Sequence, residues 1–119
     1  MSQLRIEKIQ ELMKQEISQI ILQEVKDPRI GFVTVTQVEV SRDLSYAKVY
    51  VSIMGDDEQI TKCWKGLNSS LGFIRREVGH RIRLRIVPEL RLMLDKSLDY
   101  SDNIQKLLLQ IEQKEEHKE

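Results

Sequence analysis

The sequence predicts an α+β fold, a single domain in which a three-stranded sheet packs against helices. Two patterns point to this class. Apolar residues recur at helical spacing between Gln3 and Val25, and apolar and polar residues alternate from Tyr46 to Ile53. A chain of 119 residues that is 40% hydrophobic can bury one modest core. We therefore expect one globular unit that combines both kinds of element.

The first helix is expected from Gln3 to Val25. Its apolar residues fall at intervals of three and four, which places them on one side of a helix. They are Ile6, Ile9, Met13, Ile17, Ile20 and Ile21. Asp27 and Pro28 should end this helix, because the residue before a proline is pushed out of the helical region.

A β-hairpin is expected next. Gly31 permits the turn into a strand that begins near Phe32. The apolar positions of this strand change from odd to even numbers, and a regular strand cannot absorb such a phase change. We therefore predict a β-bulge near Thr36 and Gln37. The alternating segment 46–53 then forms the second strand, with one polar face.

A second helix is expected to begin at Asp56 or Asp57. Its apolar positions continue at helical spacing to Val78, straight through Gly72. Periodicity alone therefore predicts one long helix, in which Gly72 costs about 1 kcal/mol relative to alanine. Gly79 is expected just after the last residue of this helix, where glycine often terminates helices.

A third strand is expected after Gly79. Arg81, Arg83 and Arg85 would share one face of it, forming a cationic stripe that suits phosphate. Pro88 lacks a backbone donor, so this strand should lie at an edge or bend there. The opposite face would be apolar and would carry Ile82, Leu84, Ile86, Leu90, Leu92 and Leu94.

The remaining chain is expected to form a C-terminal amphipathic helix and a frayed tail. A helix can begin at Ser101 or Asp102, and the tail beyond Glu112 is almost entirely polar. This gives a main domain of residues 1–98 and a C-terminal segment of residues 99–119. Ile104, Leu107, Leu108 and Ile111 would form the apolar side of the helix.

The distribution of charge favours an anionic partner. The formal net charge is zero, yet the segment from Lys62 to Arg91 holds eight basic residues and only two acidic ones. Such a local patch can attract nucleic acid even when the whole molecule is neutral. The alternative is that the three arginines Arg81, Arg83 and Arg85 lie on a solvated strand face, their stems covering apolar surface.

Several other kinds of function are not expected. The one cysteine, Cys63, cannot form an internal disulfide, and no zinc spacing is present, which points to a reducing compartment without a structural metal. Cys63 and Trp64 fall on the apolar side of the second helix, which favours core packing over a redox role. No signal peptide or membrane span is apparent. The aspartates occupy turn and cap positions, and no glycine-rich phosphate loop occurs, so no enzymatic activity or cofactor is expected.

The order helix, strand, strand, helix, interruption, helix, strand is that of a type II KH domain. Three segments resemble the ribosome-binding factor A family: KDPRIG at 26–31, VSRDLSYAKVYVS at 40–52 and GFIRREVGHRIRLRIVPEL at 72–90. The resemblance covers residues 3–98 and implies a KH-like RNA-binding domain. In this family an Ala-x-Gly kink between two helices replaces the usual GxxG loop. The matching residues are Ser70, Leu71 and Gly72, with a serine that can cap the following helix through its hydroxyl.

The resemblance also implies a function. It predicts a non-catalytic, monomeric, cytoplasmic factor that binds the free small (30S) ribosomal subunit and 16S rRNA, with the 5′-terminal helix as the suspected target. Such a factor assists late subunit maturation and 16S rRNA processing, and it needs no cofactor, metal, membrane or small-molecule substrate. The candidate RNA-binding residues are Lys48, Arg75, Arg76, Arg81, Arg83 and Arg85.

Two other functions remain open at this point. The chain can be a protein interaction module that docks through an amphipathic terminal helix, or a KH module for another RNA. Strong salt dependence of binding would favour RNA, whereas apolar docking would vary little with salt. Tyr46 and Tyr50 can stack on bases or act as cross-strand structural residues. Arg29 and Arg42 lie in turns and can each pair with a neighbouring aspartate.

Overall fold

The structure is a computed structural model that describes residues 3–95. It confirms the α+β class, with two helices and a three-stranded mixed sheet in the order α-β-β-α-β. The elements are α1 (Gln3–Gln23), β1 (Phe32–Val40), β2 (Tyr46–Met54), α2 (Asp57–Ile82) and β3 (Glu89–Leu94). The predicted C-terminal helix, the tail and the boundary between residues 98 and 99 lie outside the described residues.

The sheet has the strand order β1-β2-β3. The first two strands form the predicted antiparallel hairpin, with Phe32 opposite Met54, and β3 runs parallel to β2. The register shifts between Val35 and Gln37, which confirms the predicted β-bulge. The third strand lies at an edge, as Pro88 immediately before it had indicated.

Both helices bury one side against the sheet. α1 packs against β1 and α2, while α2 packs also against β2 and β3. All six apolar positions predicted for α1 are buried. Trp64 and Cys63 of α2 are each only 1% exposed, which confirms their predicted place in the core. Burial raises the pKa of the Cys63 thiol, so the reactive thiolate is disfavoured.

A capping box fixes where α2 begins. The Asp56 carboxylate accepts a hydrogen bond from the Gln59 backbone N–H at 2.8 Å. The Gln59 side-chain oxygen in turn accepts one from the Asp56 N–H, also at 2.8 Å. Two N–H groups that lack partners within the helix are therefore satisfied.

α2 is a single helix that continues through Gly72. The family resemblance implied two helices that meet at Ser70, Leu71 and Gly72. The structure has one continuous helix there, and a kink within it stays a prediction. The Ser70 hydroxyl donates to the Gly66 carbonyl at 2.9 Å, one turn back, instead of capping a new helix. The buried positions stay in helical phase across Gly72, as Leu67 and Ile74 show.

The predicted third strand begins too early. α2 runs past Gly79 and ends at Ile82, followed by Arg83 at the C-cap in the left-handed conformation (φ 57°). Arg81 therefore lies in the last turn of α2 and Arg85 lies in the following loop, so the stripe of arginines on a strand is wrong. The helix persists because Ile74, Val78 and Ile82 are four residues apart and continue its apolar side.

The loop of residues 83–88 explains two further differences between the sequence-based predictions and the structure. Gly79 does not end the helix: a Cβ there would lie 2.8 Å from Val87 Cγ2, so glycine lets this loop pack closely against α2. Ile86 was expected in the core but is 68% exposed, because it lies in the loop instead of on the inner side of a strand.

A turn between α1 and β1 rests on α2. The Asp27 carboxylate accepts hydrogen bonds from the Arg29 backbone N–H at 2.9 Å and from the Arg29 guanidinium, whose Nη2 lies at 2.7 Å. These bonds lower the pKa of Asp27 to about 2. At Gly66 a Cβ would lie 3.0 Å from Ile30 Cγ1, so the glycine leaves space for the turn. Arg29 thus pairs with the neighbouring Asp27, which is the structural role that its place in a turn suggests.

The glycines of α2 give a matched test of helix continuity. Gly72→Ala should raise the free energy of unfolding by about 1 kcal/mol, because alanine favours a helix interior and its methyl group would meet nothing within 4 Å. Gly79→Ala should lack this gain, because its methyl group meets Val87. Urea unfolding followed by Trp64 fluorescence measures both. Destabilisation by Gly72→Ala would indicate a non-helical break at this position.

The turn at Asp27 should make stability depend on pH. The ordinary pKa of 3.8 falls to about 2 on folding. The ionised carboxylate therefore stabilises the fold above about pH 4, and this contribution is lost as the pH falls towards 2. Asp27→Asn should lower the urea midpoint at pH 7 and have little effect at pH 2. An equal loss at both values would show that the charge is not responsible.

Candidate nucleic-acid interface

The solvent side of α2 is cationic along most of its length. Its residues recur at intervals of three and four, so they share one face, and all are exposed. We call this set the α2 cationic face: Lys62, Lys65, Ser69, Gly72, Arg76 and His80. From Lys62 to His80 the helix rises about 27 Å, at 1.5 Å per residue. The buried residues of α2 lie on its opposite side.

The middle of the α2 cationic face has little side-chain bulk. Ser69 and Gly72 lie there, and a Cβ on Gly72 would have nothing within 4 Å. A ligand can therefore approach the helix backbone closely between the basic side chains. The Ser69 hydroxyl and the Asn68 amide donate to the carbonyls of Lys65 and Trp64, one turn back, at 2.9 and 3.2 Å. Ser70 makes a similar bond, and hydroxyl bonds of this kind to the carbonyl four residues back can bend a helix locally.

An arginine loop, residues 83–88, continues this surface beyond the end of α2. Arg83 and Arg85 are exposed, as is Arg76 on the helix. None of these three arginines forms an ion pair with any residue of the described range 3–95. Their positive charge is therefore available to an anionic ligand.

Arg75 holds the arginine loop in place. Its guanidinium Nη2 donates to the Val87 carbonyl at 2.8 Å, across the close contact at Gly79. Arg75 is exposed, but one of its donors is used by the protein itself. The structure thus assigns it a positioning role for the loop.

Arg81 is engaged in the fold. Its guanidinium Nη1 lies 3.2 Å from the Glu16 carboxylate and its Nη2 lies 3.6 Å from that of Glu24. Glu16 lies in α1, and Glu24 is the residue that follows α1. Arg81 therefore ties the last turn of α2 to α1. Its side chain is only 25% exposed. These contacts favour a structural role for Arg81 over RNA contact.

Lys48 is not brought together with the other candidates. It lies on the sheet face that points away from the helices, between Glu39 of β1 and Arg91 of β3. Arg91 stacks over the Tyr46 ring at 4.1 Å. This face therefore carries basic and acidic groups side by side. On the α2 cationic face, Lys62 pairs with Glu58 at 2.9 Å, one turn before it.

Tyr50 on the same sheet face also makes a cross-strand contact. Its hydroxyl donates to the Glu39 carboxylate at 3.3 Å. Burial, together with the negative charge of Glu39, raises the pKa of Tyr50. The contacts of Tyr46 and Tyr50 therefore favour the cross-strand role over base stacking.

Sequence reasoning missed part of this surface. Lys62 and Lys65 belong to the basic segment but are not among the site residues predicted from the sequence. The signal that finds them is the spacing that joins Lys62, Lys65, Ser69, Gly72 and Arg76 on one helix face. This spacing joins the two lysines to Arg76 across Gly72, where the family resemblance implies an interruption.

Residues 3–95 contain no group of three or more histidine, cysteine, aspartate or glutamate side chains that could hold a metal ion. Within the same range, neither helix is long and apolar enough to cross a membrane.

Comparison with solved structures supports the fold. A solution NMR structure of a Thermotoga maritima protein matches with a TM-score of 0.60 and 36% identity, covering 82% of this chain and 90% of that protein. The crystal structure of ribosome-binding factor A from Thermus thermophilus matches with a TM-score of 0.65. It is 24% identical and covers 75% of this chain and 94% of its own.

Sequence comparison identifies the family. The family model described as ribosome-binding factor A matches residues 5–108. The ribosome-binding factor A of Clostridium novyi is 50% identical over 115 residues, covering 96% of this chain and 95% of the relative. That of Staphylococcus carnosus is 45% identical, covering 97% of this chain and all of the relative. The chain therefore belongs to the ribosome-binding factor A family.

Proposed function

We propose that this chain is a non-catalytic ribosome assembly factor that binds the free 30S subunit through phosphates of 16S rRNA. The observation that carries the proposal is the alignment of exposed basic residues along the α2 cationic face and the arginine loop. A Thermus thermophilus relative, 24% identical to this chain, has been fitted into a cryo-EM map of a 30S complex. The factor acts as a cytoplasmic monomer, without a cofactor or a small-molecule substrate.

The proposed contacts follow from the geometry. Lys62, Lys65 and Arg76 face the phosphate backbone from α2, and Arg83 and Arg85 reach it from the arginine loop. Lys62 exchanges its ion pair with Glu58 for a phosphate. Gly72 lets the nucleic acid approach the helix closely. Arg75 positions the loop through Val87, whereas Arg81 supports the fold through α1. The proposal leaves Lys48 out, because it lies on the opposite side of the sheet.

Binding assists maturation only if it discriminates between states of the rRNA. A factor that binds two conformations equally well shifts neither. We propose that a rigid basic surface fits one conformation of the region near the 5′-terminal helix of 16S rRNA and thereby favours its processing. The basic face and the core share α2, so the spacing of the cations is fixed by the packed side of the same helix.

Reversing the charges of the unpaired arginines should abolish most of the binding while leaving the fold intact. The triple change Arg76→Glu, Arg83→Glu and Arg85→Glu should weaken binding to purified 30S subunits by at least roughly tenfold, because phosphate attraction becomes repulsion. Cosedimentation through a sucrose cushion measures binding, and urea unfolding monitors the fold.

The matched control reverses three basic residues on other surfaces: Lys8→Glu, Arg42→Glu and Lys48→Glu. It changes the net charge by the same amount, so a general charge effect would weaken both proteins alike. Binding that falls only in the first variant supports the proposed surface. Equal binding by the wild type and the first variant would refute it.

Salt should weaken binding steeply. If about five basic side chains displace counterions, log affinity should fall with log salt concentration at a slope between about −3.5 and −4.5. Arg76→Gln should make the slope shallower by roughly 0.7 to 0.9, since one phosphate contact is lost. Fluorescence anisotropy with labelled protein and 30S subunits gives the slope. A slope near zero would point to apolar docking instead.

A further inference from the structure

Two neighbouring cavities lie between α1 and the free edge of β1, and we call them together the groove. β1 is an edge strand, paired with β2 on one side. On the other side it faces one stripe of α1, whose residues are three or four positions apart. The stripe consists of Glu7, Gln10, Glu11, Lys14, Ser18, Ile21 and Leu22. Ile30, Gly31 and residues 33–35 line one half of the groove, and residues 36–38 line the other.

The two halves of the β1 edge differ. Near its C-terminal end, the Val40 N–H donates to the Gln10 side-chain oxygen at 3.0 Å, so a helix residue already satisfies that group. The bulge between Val35 and Gln37 interrupts regular pairing in the middle. The stretch from Phe32 to Val35 remains a regular strand edge, and among residues 3–95 no further strand pairs with it. Such edges are templates for another strand.

The groove beside this open stretch is apolar. Ile21 and Leu22 of α1, together with Ile30 and Val33, line a cavity of about 210 Å³. Leu22 is 82% exposed. At the same end of β1, but on the outer face of the sheet, Phe32 is also 82% exposed. It lies opposite Met54, which is 73% exposed. Exposed apolar groups gathered at one strand end are typical of a protein contact.

The other half of the groove is acidic. Glu7 and Glu11 line it from α1, and Lys14 offsets one of these charges. The groove therefore presents an apolar strand edge at one end and a surplus of negative charge at the other.

We propose that this groove binds an extended segment of a partner protein, in which alternating apolar residues are followed by lysines or arginines. The segment adds a strand to β1 along Phe32–Val35. Its apolar side chains contact Leu22 and Val33, and its basic side chains contact Glu7 and Glu11. The site lies at the β1 edge and uses none of the basic residues proposed to contact rRNA.

The chain's own C-terminal segment fits the groove less well. Residues 96–119 contain four lysines and six acidic residues, so their net charge does not complement Glu7 and Glu11. Their apolar residues have helical rather than alternating spacing. This segment also follows β3, which lies at the opposite edge of the sheet. A second copy of the chain would have to align two bulged edges.

A synthetic peptide tests the proposal. Fluorescein-labelled TVTVTVGKKK should bind the full-length chain, as measured by anisotropy, and should bind at least roughly tenfold more weakly to Leu22→Lys. The double change Glu7→Gln and Glu11→Gln should weaken binding about threefold or more at low salt. A peptide with prolines in place of the valines cannot form the strand ladder and should not bind.

Matched controls separate the groove from general effects. Ile86→Lys also replaces an exposed apolar residue, and the double change Glu58→Gln and Glu89→Gln removes two acids elsewhere; both should bind the peptide normally. Absence of binding by the wild type, or equal binding by Leu22→Lys, would overturn the proposal. Self-association of the wild type that Leu22→Lys abolishes would assign the groove to a second copy and would also overturn it. Binding of 30S subunits by Leu22→Lys reports separately on the proposed function.

Discussion

The apolar side of α2 is the constraint on which the rest of the structure depends. It runs from Ile60 to Val78 without a break in phase, and the half-buried Ile82 continues it one turn further. Burying each of these side chains contributes about 1.5 to 3 kcal/mol, which exceeds the cost of about 1 kcal/mol for a helical glycine at position 72. The helix therefore persists, and its C-cap falls at Arg83. The short loop that follows returns the chain directly to an edge strand parallel to β2.

The same helix determines what each glycine does. Gly66 and Gly79 lie where another part of the chain comes close: the turn before β1 approaches the first, and Val87 approaches the second. Gly72 meets nothing and lies in the middle of the α2 cationic face. Two glycines thus serve packing, whereas the third leaves space for a ligand. In the sequence alone, nothing distinguishes these three roles, because each depends on what the fold places beside the helix.

The elements with one clear periodicity could be predicted from the sequence. α1, the hairpin and the bulge at Thr36 all follow from apolar spacing that fits a single kind of element. The segment from Gly79 to Pro88 fits two kinds. Ile82 continues the four-residue spacing of α2, yet it also begins an alternation with Leu84 and Ile86. Tertiary packing decides between them, so Arg81 is helical and Ile86 is exposed. The predicted RNA-binding site contains the same error, because the alternating pattern assigns Arg81 and its neighbouring arginines to a strand.

The arginines of the basic segment divide into three roles, and the division explains how a chain of zero net charge can present a cationic surface. Arg81 is neutralised by two glutamates from the α1 region, and Arg75 is bonded to a backbone carbonyl. Arg76, Arg83 and Arg85 keep their charge exposed. Acidic residues elsewhere balance the total, and two of them, Glu7 and Glu11, line the proposed peptide groove. Segregating charge in this way gives one small domain two surfaces of opposite sign. Contact with nucleic acid at α2 therefore leaves the groove beside α1 open to a basic protein segment.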